Sequence, residues 1–557
     1  MILRFFLFGL SFHWCYSKVV LNELSTVYVP FDYDPEPKYK MFAEASEQIT
    51  YDPQSKLAYT IGGSGYLHVV DVSEPSEAKI ISYEKIEGVP NDIDTCGGYV
   101  AATVRHIFQP LPGKVVLFEG YSRERKSMRR IRDISVGNSP ASMITFTKDC
   151  RKILVANEGE AGKDEMGKFF DPEGGVSVIS FSTSNLGKEE PLVKHADFTK
   201  FNKKAKEYVK KGVRWVYKGE RTGKNTKFSQ DIEPEYLALS ADEKLAYVVL
   251  QENNAMAVLD VEKVEFIELY PLGFKYWPNY GGFDASDKDK GIHIEPWPVY
   301  GMFQPDAVKM FIHNNVTYLV TANEGDKKIY TKEEHGLAWS ETTRGATLAH
   351  GNLLSESMPY ELVEALYDPT KLGRLRVSLV DGREKKLKYK KLFAYGGRSF
   401  TIWSTNGIEM VYDSGSDIER KHALQMPLLF NSHVENGNHL PTEDADYRSD
   451  DHGPEVEIVE TGVIDGTTYI FVGNQRVSTL IIYSLPNDKI EPTFEGLHRG
   501  GDTDASWNQL FKERRIGDTD LQDLRFVSAE KSPNGKPMLL VSGSLSGTLA
   551  VYEIQVE

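Results

Sequence analysis

Short apolar stretches bounded by Gly, Asp, Asn and Pro recur along the whole chain, and many of them alternate or carry β-branched residues. Tyr51 to Val72 reads YDPQSKLAYTIGGSGYLHVVDV, and Glu235 to Val261 reads EYLALSADEKLAYVVLQENNAMAVLDV. Each shows an acidic or proline-containing turn, an apolar strand, a polar turn and a second apolar strand. Similar runs open near Asp92, Ala141, Asp306, Lys391, Glu455 and Leu524, which makes about eight units. One such unit cannot bury both faces of its sheet, and radial packing against neighbours solves that while leaving only short edges. The pattern predicts an all-β chain, a β-propeller of seven or eight blades with irregular loop insertions. A linear solenoid is the structural rival. Closure is expected where the last strands meet the residues from Lys18 to Pro30.

Three segments break the pattern: Lys200 to Lys227, Tyr276 to Val299, and Thr331 to Lys371. They read as loops on the rim. A helix is predicted around Pro359 to Tyr367.

Residues 1–17 have the form of a signal peptide, with Arg4 ahead of an apolar run from Phe5 to Phe12 and a small residue, Ser17, at the cleavage point. Residues 18–557 then form a single domain, secreted and extracellular. No other segment is apolar enough to span a membrane, and the C-terminal Ala550 to Glu557 has no apolar tail, so no GPI anchor is expected. Removal of Cys15 with the leader leaves Cys96 and Cys150, an even pair that is expected to form a disulfide in an oxidising compartment. Asn315-Val316-Thr317 is a glycosylation sequon. The formal net charge of -16 argues against nucleic-acid binding and for tolerance of cations.

Two polar signatures recur. The first follows an apolar strand: Asn157-Glu158, Glu252-Asn253, Asn323-Glu324 and Asn474-Gln475. Oxygens gathered at one blade position can hold a hard cation such as Ca2+; the alternative is that Asn and Gly only form turns. The second precedes the innermost strand: Pro234-Glu235, Pro305-Asp306 and Pro454-Glu455. Carboxylates facing one another across an axis repel and raise each other's pKa unless a cation sits among them, or unless water and an arginine such as Arg398 or Arg476 satisfy them. The candidate metal set is therefore Glu235, Asp306, Glu455, Asn157, Glu158, Glu252, Asn323 and Glu324. A weaker calcium-like loop carries Asp284, Asp287 and Asp289 but lacks a terminal bidentate Glu. No His-Glu-x-x-His helix or Gly-x-Ser-x-Gly elbow is present, and no catalytic residue is assigned.

The strings VANEGE, PDAVKMF with VTANEGD, GGRSFTIW with YDSGSDIE, and DDHGPEVEIVETG with FVGNQR resemble choice-of-anchor I proteins, nearest to the mesenchyme-specific cell-surface glycoprotein group. The resemblance covers about Asp32 to Ile554. It implies a propeller displayed outside the cell, glycosylated, and associated with calcified matrix. The last unit, with Asp523-Leu524-Arg525 and Ser542-Gly543-Ser544, departs from the Pro-Glu and Asn-Glu pairs of the family. The reading is a secreted biomineralisation-associated glycoprotein that binds calcium or a mineral surface through acidic faces. A metal-dependent phosphoesterase and a metal-free interaction disk are the alternatives.

Overall fold

The computed structural model describes residues 19–219, 225–384 and 388–557; the expected leader, residues 1–17, lies outside them. Among the described residues, seven four-stranded antiparallel sheets carry the architecture, with one three-stranded and three two-stranded sheets beside them. In six of the seven, strands pair in chain order. These sheets open at Gln48–Asp52, Val89–Cys96, Ala141–Phe146, Leu237–Leu239, Val308–His313 and Val456–Ile464. The seventh takes Leu521–Val527, Met538–Gly543 and Thr548–Val556 from the end of the chain and Val19–Tyr28 from its beginning. Val19 faces Val556 and Tyr28 faces Thr548, so the termini are tied together as the repeat pattern predicts.

Apolar alternation makes each sheet two-faced, and each face is buried against a neighbour. Ile61, Leu67 and Val69 of the first sheet pack with Val100, Ala102 and Val116 of the second. The second packs on the third through Val115, Leu117, Ile153 and Val155. Leu154 and Val176 meet Leu237 and Val248 between the third and fourth, and Val249 meets Leu319 between the fourth and fifth. One large cluster joins the fifth, sixth and seventh. The seventh returns to the first through Leu540, Val551, Ala58 and Val70. The packing order thus closes on itself, and the first strands of adjacent sheets touch.

Sequence repetition suggests about eight units, whereas seven four-stranded sheets form. The run expected to open a unit near Lys391 completes the fifth sheet instead. Ser399–Ser404 pairs with Val316–Asn323 across an intervening insertion. That insertion and the segment before the fifth sheet build a satellite core around Trp277, Leu348, Leu362 and Leu366, including the helix Tyr360–Tyr367. The first part of the basic segment after Lys200 packs on the sheets: the helix Ala205–Lys211 buries Tyr208 with Phe201 against the third and fourth sheets. Among the described residues no helix is long and apolar enough to cross a membrane.

Cys96 and Cys150 form a disulfide with a Cα–Cα distance of 5.5 Å. It ties the end of the first strand of the second sheet to the turn after the first strand of the third. The bond closes a loop of 54 residues, which restricts the unfolded chain by about 2–4 kcal/mol. Replacing both cysteines by serine should lower the denaturation midpoint by that amount without changing the near-ultraviolet circular dichroism of the native state; an unchanged midpoint would show that the two sheets hold this corner alone.

Candidate functional site

Because the first strands converge, the residues that open them share one space. A cavity of about 280 Å³ is lined from all seven sheets: Glu47 and Gln48, Asn91 and Asp92, Ser142 and Met143, Glu235 and Tyr236, Asp306, Glu457, and Gln522. Glu44 and Arg105 complete the wall. The Tyr236 hydroxyl donates to Gln48 Oε1 at 3.1 Å, linking the fourth sheet to the first.

Local backbone geometry aims these side chains. Register shifts fall early in the first strands of the second, third, sixth and seventh sheets. A bulge bends a strand and redirects the neighbouring side chain. Asp92 uses its position to accept the Ile144 amide of the next sheet at 2.7 Å, and Asp523 accepts the Ile49 amide at 3.0 Å. These two acids stitch sheets together. In the fourth and fifth sheets the backbone amides of Glu235 and Asp306 bond to Val249 and Ala322, leaving the carboxylates to the cavity.

The bulge of the sixth sheet changes the expected ligand set. Glu455 adopts a positive φ of 51° and turns away. It is ion-paired with Arg448 and, at 2.6 Å, with Arg476. Burial opposes its ionisation, yet the two guanidiniums prevail and hold its pKa at about 2. The wall position anticipated for Glu455 belongs to Glu457. Arg476 also reaches Asp520 at 2.9 Å, so the arginine reading of this pair is the one realised. Arg398 serves elsewhere, paired with Glu419 at 2.7 Å.

The recurring Asn-Glu pairs divide into two roles. Asn157 accepts from the Ser177 hydroxyl at 2.7 Å. Asn323 donates to Ser399 and Thr401 at 3.0 and 2.7 Å and accepts from Thr321 at 2.9 Å. Both amides are fully buried and pin strand ends, so they are spent on structure. Their neighbours Glu158 and Glu324, with Glu252, lie outside the cavity lining but act through their fields on Glu235 and Glu457. Glu324 accepts from Gln251 at 2.7 Å.

Electrostatic strain marks this group. Burial first, then Glu158, Asp306 and Glu252, pushes the Glu235 carboxyl well above the ordinary carboxylate range. Burial, followed by the field of Asp326, raises Asp306 to about 7. Glu324 is raised by burial, then by Asp306 and Glu455. Glu457 is raised by burial, then by Glu324 and Asp306. Burial raises Glu252 to about 7 although Lys328 opposes it. That lysine is already committed to Glu233 at 2.7 Å. Glu252 Oε2 and Glu457 Oε2 are buried without a hydrogen-bond partner. Carboxylates from the third to sixth sheets therefore converge with more negative charge than the protein compensates. A hard cation fits this oxygen-only donor set.

The other candidates differ. Glu324, His452 and Glu455 bring ligand atoms within 4.8 Å of one another. There, however, the Lys327 ammonium lies 2.8 Å from His452 Nε2 and 2.9 Å from Asp451, and Glu455 is already paired with Arg448 and Arg476. In the acidic loop, Asp284 accepts the His293 amide at 2.6 Å, Asp287 pairs with Lys288 at 2.6 Å and with Arg374, and Asp289 pairs with His293 at 2.9 Å. Those carboxylates are already matched by local donors. Asn315 is exposed in the turn between Val308–His313 and Val316–Asn323.

Gigasin-3a of Magallana gigas is 36% identical over 185 residues, covering 33% of this chain and 65% of that protein, just under two thirds of its length. Mesenchyme-specific cell surface glycoprotein of Strongylocentrotus purpuratus is 25% identical over a 639-residue alignment, covering 84% of this chain and 81% of that protein. Among solved structures, Kuenenia stuttgartiensis Hydrazine Synthase aligns with a TM-score of 0.41 at 11% identity, over 92% of this chain and 97% of that chain. The choice-of-anchor I domain matches residues 47–488, well over half the sequence, and this chain belongs to that family.

Proposed function

We propose that this chain is an extracellular seven-bladed β-propeller whose axial cavity binds a hard divalent cation, calcium foremost, in a mineralising matrix. The observation that carries the reading is the cavity to which all seven sheets contribute, walled by Glu47, Asp92, Glu235, Asp306 and Glu457. Seven sheets packed in closed order support the propeller. The disulfide suits an oxidising compartment. A relative named as a cell surface glycoprotein supports display outside the cell, and the exposed Asn315 offers a glycan attachment point.

Glu235, Asp306 and Glu457 would hold the ion, with Glu158, Glu252 and Glu324 behind them. The cation would supply the positive charge that these side chains lack. Titration calorimetry on metal-free protein should show saturable calcium binding with a Kd on the order of 10⁻⁴ M or tighter. The triple variant Glu235→Gln, Asp306→Asn, Glu457→Gln should remain folded and lose that heat. Calcium affinity retained in the folded variant would sink the proposed site.

The raised pKa values also set a pH dependence. Each of these groups binds its proton more tightly folded than unfolded, so its contribution to stability is full below its unfolded pKa and is lost as pH rises through the folded one. For Asp306 and Glu252 that window runs from their ordinary 3.8 and 4.5 up to about 7. Metal-free wild type should therefore lose stability, relative to the triple variant, between about pH 4 and 7. Saturating calcium should flatten the difference. Parallel thermal-midpoint curves for the two proteins would contradict the assignment.

A further inference from the structure

One basic side chain shares the cavity with the carboxylates. Arg105 ends the strand Tyr99–Arg105 and is half-buried against the same space as Glu235, Asp306 and Glu457. Other basic groups around the axis are committed. Arg525 donates to the Ile49 carbonyl at 2.6 Å and leans on Asp523. Arg476 bridges Glu455 and Asp520, and Lys328 holds Glu233. The Arg105 guanidinium, among the described residues, closes neither an ion pair nor a hydrogen bond. Its field reaches Glu158 and Glu47, whose carboxyls it lowers against burial, but it binds neither.

A guanidinium beside several carboxylates pairs with one of them unless the backbone holds it back. The Arg105 fork has no such partner, and it matches the spacing of two oxygens on a planar or tetrahedral oxyanion. A cation among Glu235, Asp306 and Glu457 would have only part of its six to eight oxygen positions filled by protein. An oxyanion can fill an open position with one oxygen and meet the guanidinium with the others. The cavity, at about 280 Å³, suits a small anion rather than a polymer.

We propose that Arg105 and the cavity cation together form a receptor for a small oxyanion, carbonate or phosphate. This rests on the cation reading above and adds to it the identity of the co-ligand. Coupling must be reciprocal: the anion tightens the cation by the factor by which the cation tightens the anion.

The test uses the full chain and three arms. Calcium is titrated in chloride alone, in bicarbonate, and in inorganic phosphate, each below precipitation. Wild type should bind calcium about tenfold more tightly with at least one oxyanion present, a coupling of ordinary size. The arm that shows the gain distinguishes carbonate from phosphate. Arg105→Gln should keep or improve calcium affinity in chloride, since a positive charge leaves the cavity, and lose the gain. Arg105→Lys, which keeps the charge without the fork, should retain only part of it, and it guards against loss of folding in the glutamine variant. Equal calcium affinity in all three arms of wild type overturns the receptor while leaving the cation site standing. So does an undiminished gain in folded Arg105→Gln. No calcium heat in the chloride, bicarbonate and phosphate arms alike overturns the cation reading and the receptor with it.

Discussion

Closure of the sheet order is the constraint on which everything else depends. Val19–Tyr28 completes the last sheet beside Thr548–Val556, and the seventh sheet then packs against the first. Residues at or beside the opening of each of the seven first strands line one common cavity. In an isolated sheet, Glu235 and Asp306 would be ordinary solvated carboxylates. Their altered chemistry arises from the ring, because burial is the leading cause of the shift at each of them.

The same closure explains why the polar repeats carry two kinds of residue. A strand that ends beside the cavity leaves backbone and neighbouring strands to be tied down without water. Asn157, Asn253, Asn323 and Asn474 do this with side-chain hydrogen bonds to adjacent strands or loops. A buried, hydrogen-bonded amide in that role is neutral, so it ties down a strand end without adding charge. The acid beside it is not needed for the strand end. Its cost in desolvation and repulsion makes sense only if something else compensates.

Much of this was legible in the sequence, and the limits were local. Alternation and turn residues reveal the strand units, their repetition predicts the terminal closure, the cysteine count gives the Cys96–Cys150 pair, and the segment from Pro359 gives the helix Tyr360–Tyr367. The Pro-Glu and Pro-Asp pairs single out Glu235 and Asp306, which line the shared cavity. The same motif misplaces Glu455, because a bulge and a positive φ shift the register by two and give the wall position to Glu457. The fifth sheet resists counting because its second and third strands are separated by an insertion, which makes Lys391 look like a fresh start. Glu47, Asp92 and Arg105 carry no motif at all. They meet the others only through contacts between sheets far apart in sequence.

The contrast between Glu455 and Glu457 shows how charge is distributed around the axis. Glu455 receives two arginines and keeps its proton off down to about 2. Two residues on, Glu457 faces Asp306 and Glu324 and is driven the other way, with Arg476 too far engaged elsewhere to prevent it. The protein therefore has the means to neutralise an acid here and applies them selectively. At Glu455 and Asp451 the compensating cations are its own Arg448, Arg476 and Lys327. Among the described residues no basic side chain forms an ion pair with Glu235, Asp306 or Glu457, and Arg105 stands in the wall beside them. Internal compensation on one side and none on the other is the arrangement expected of a site whose missing charge comes from outside the chain.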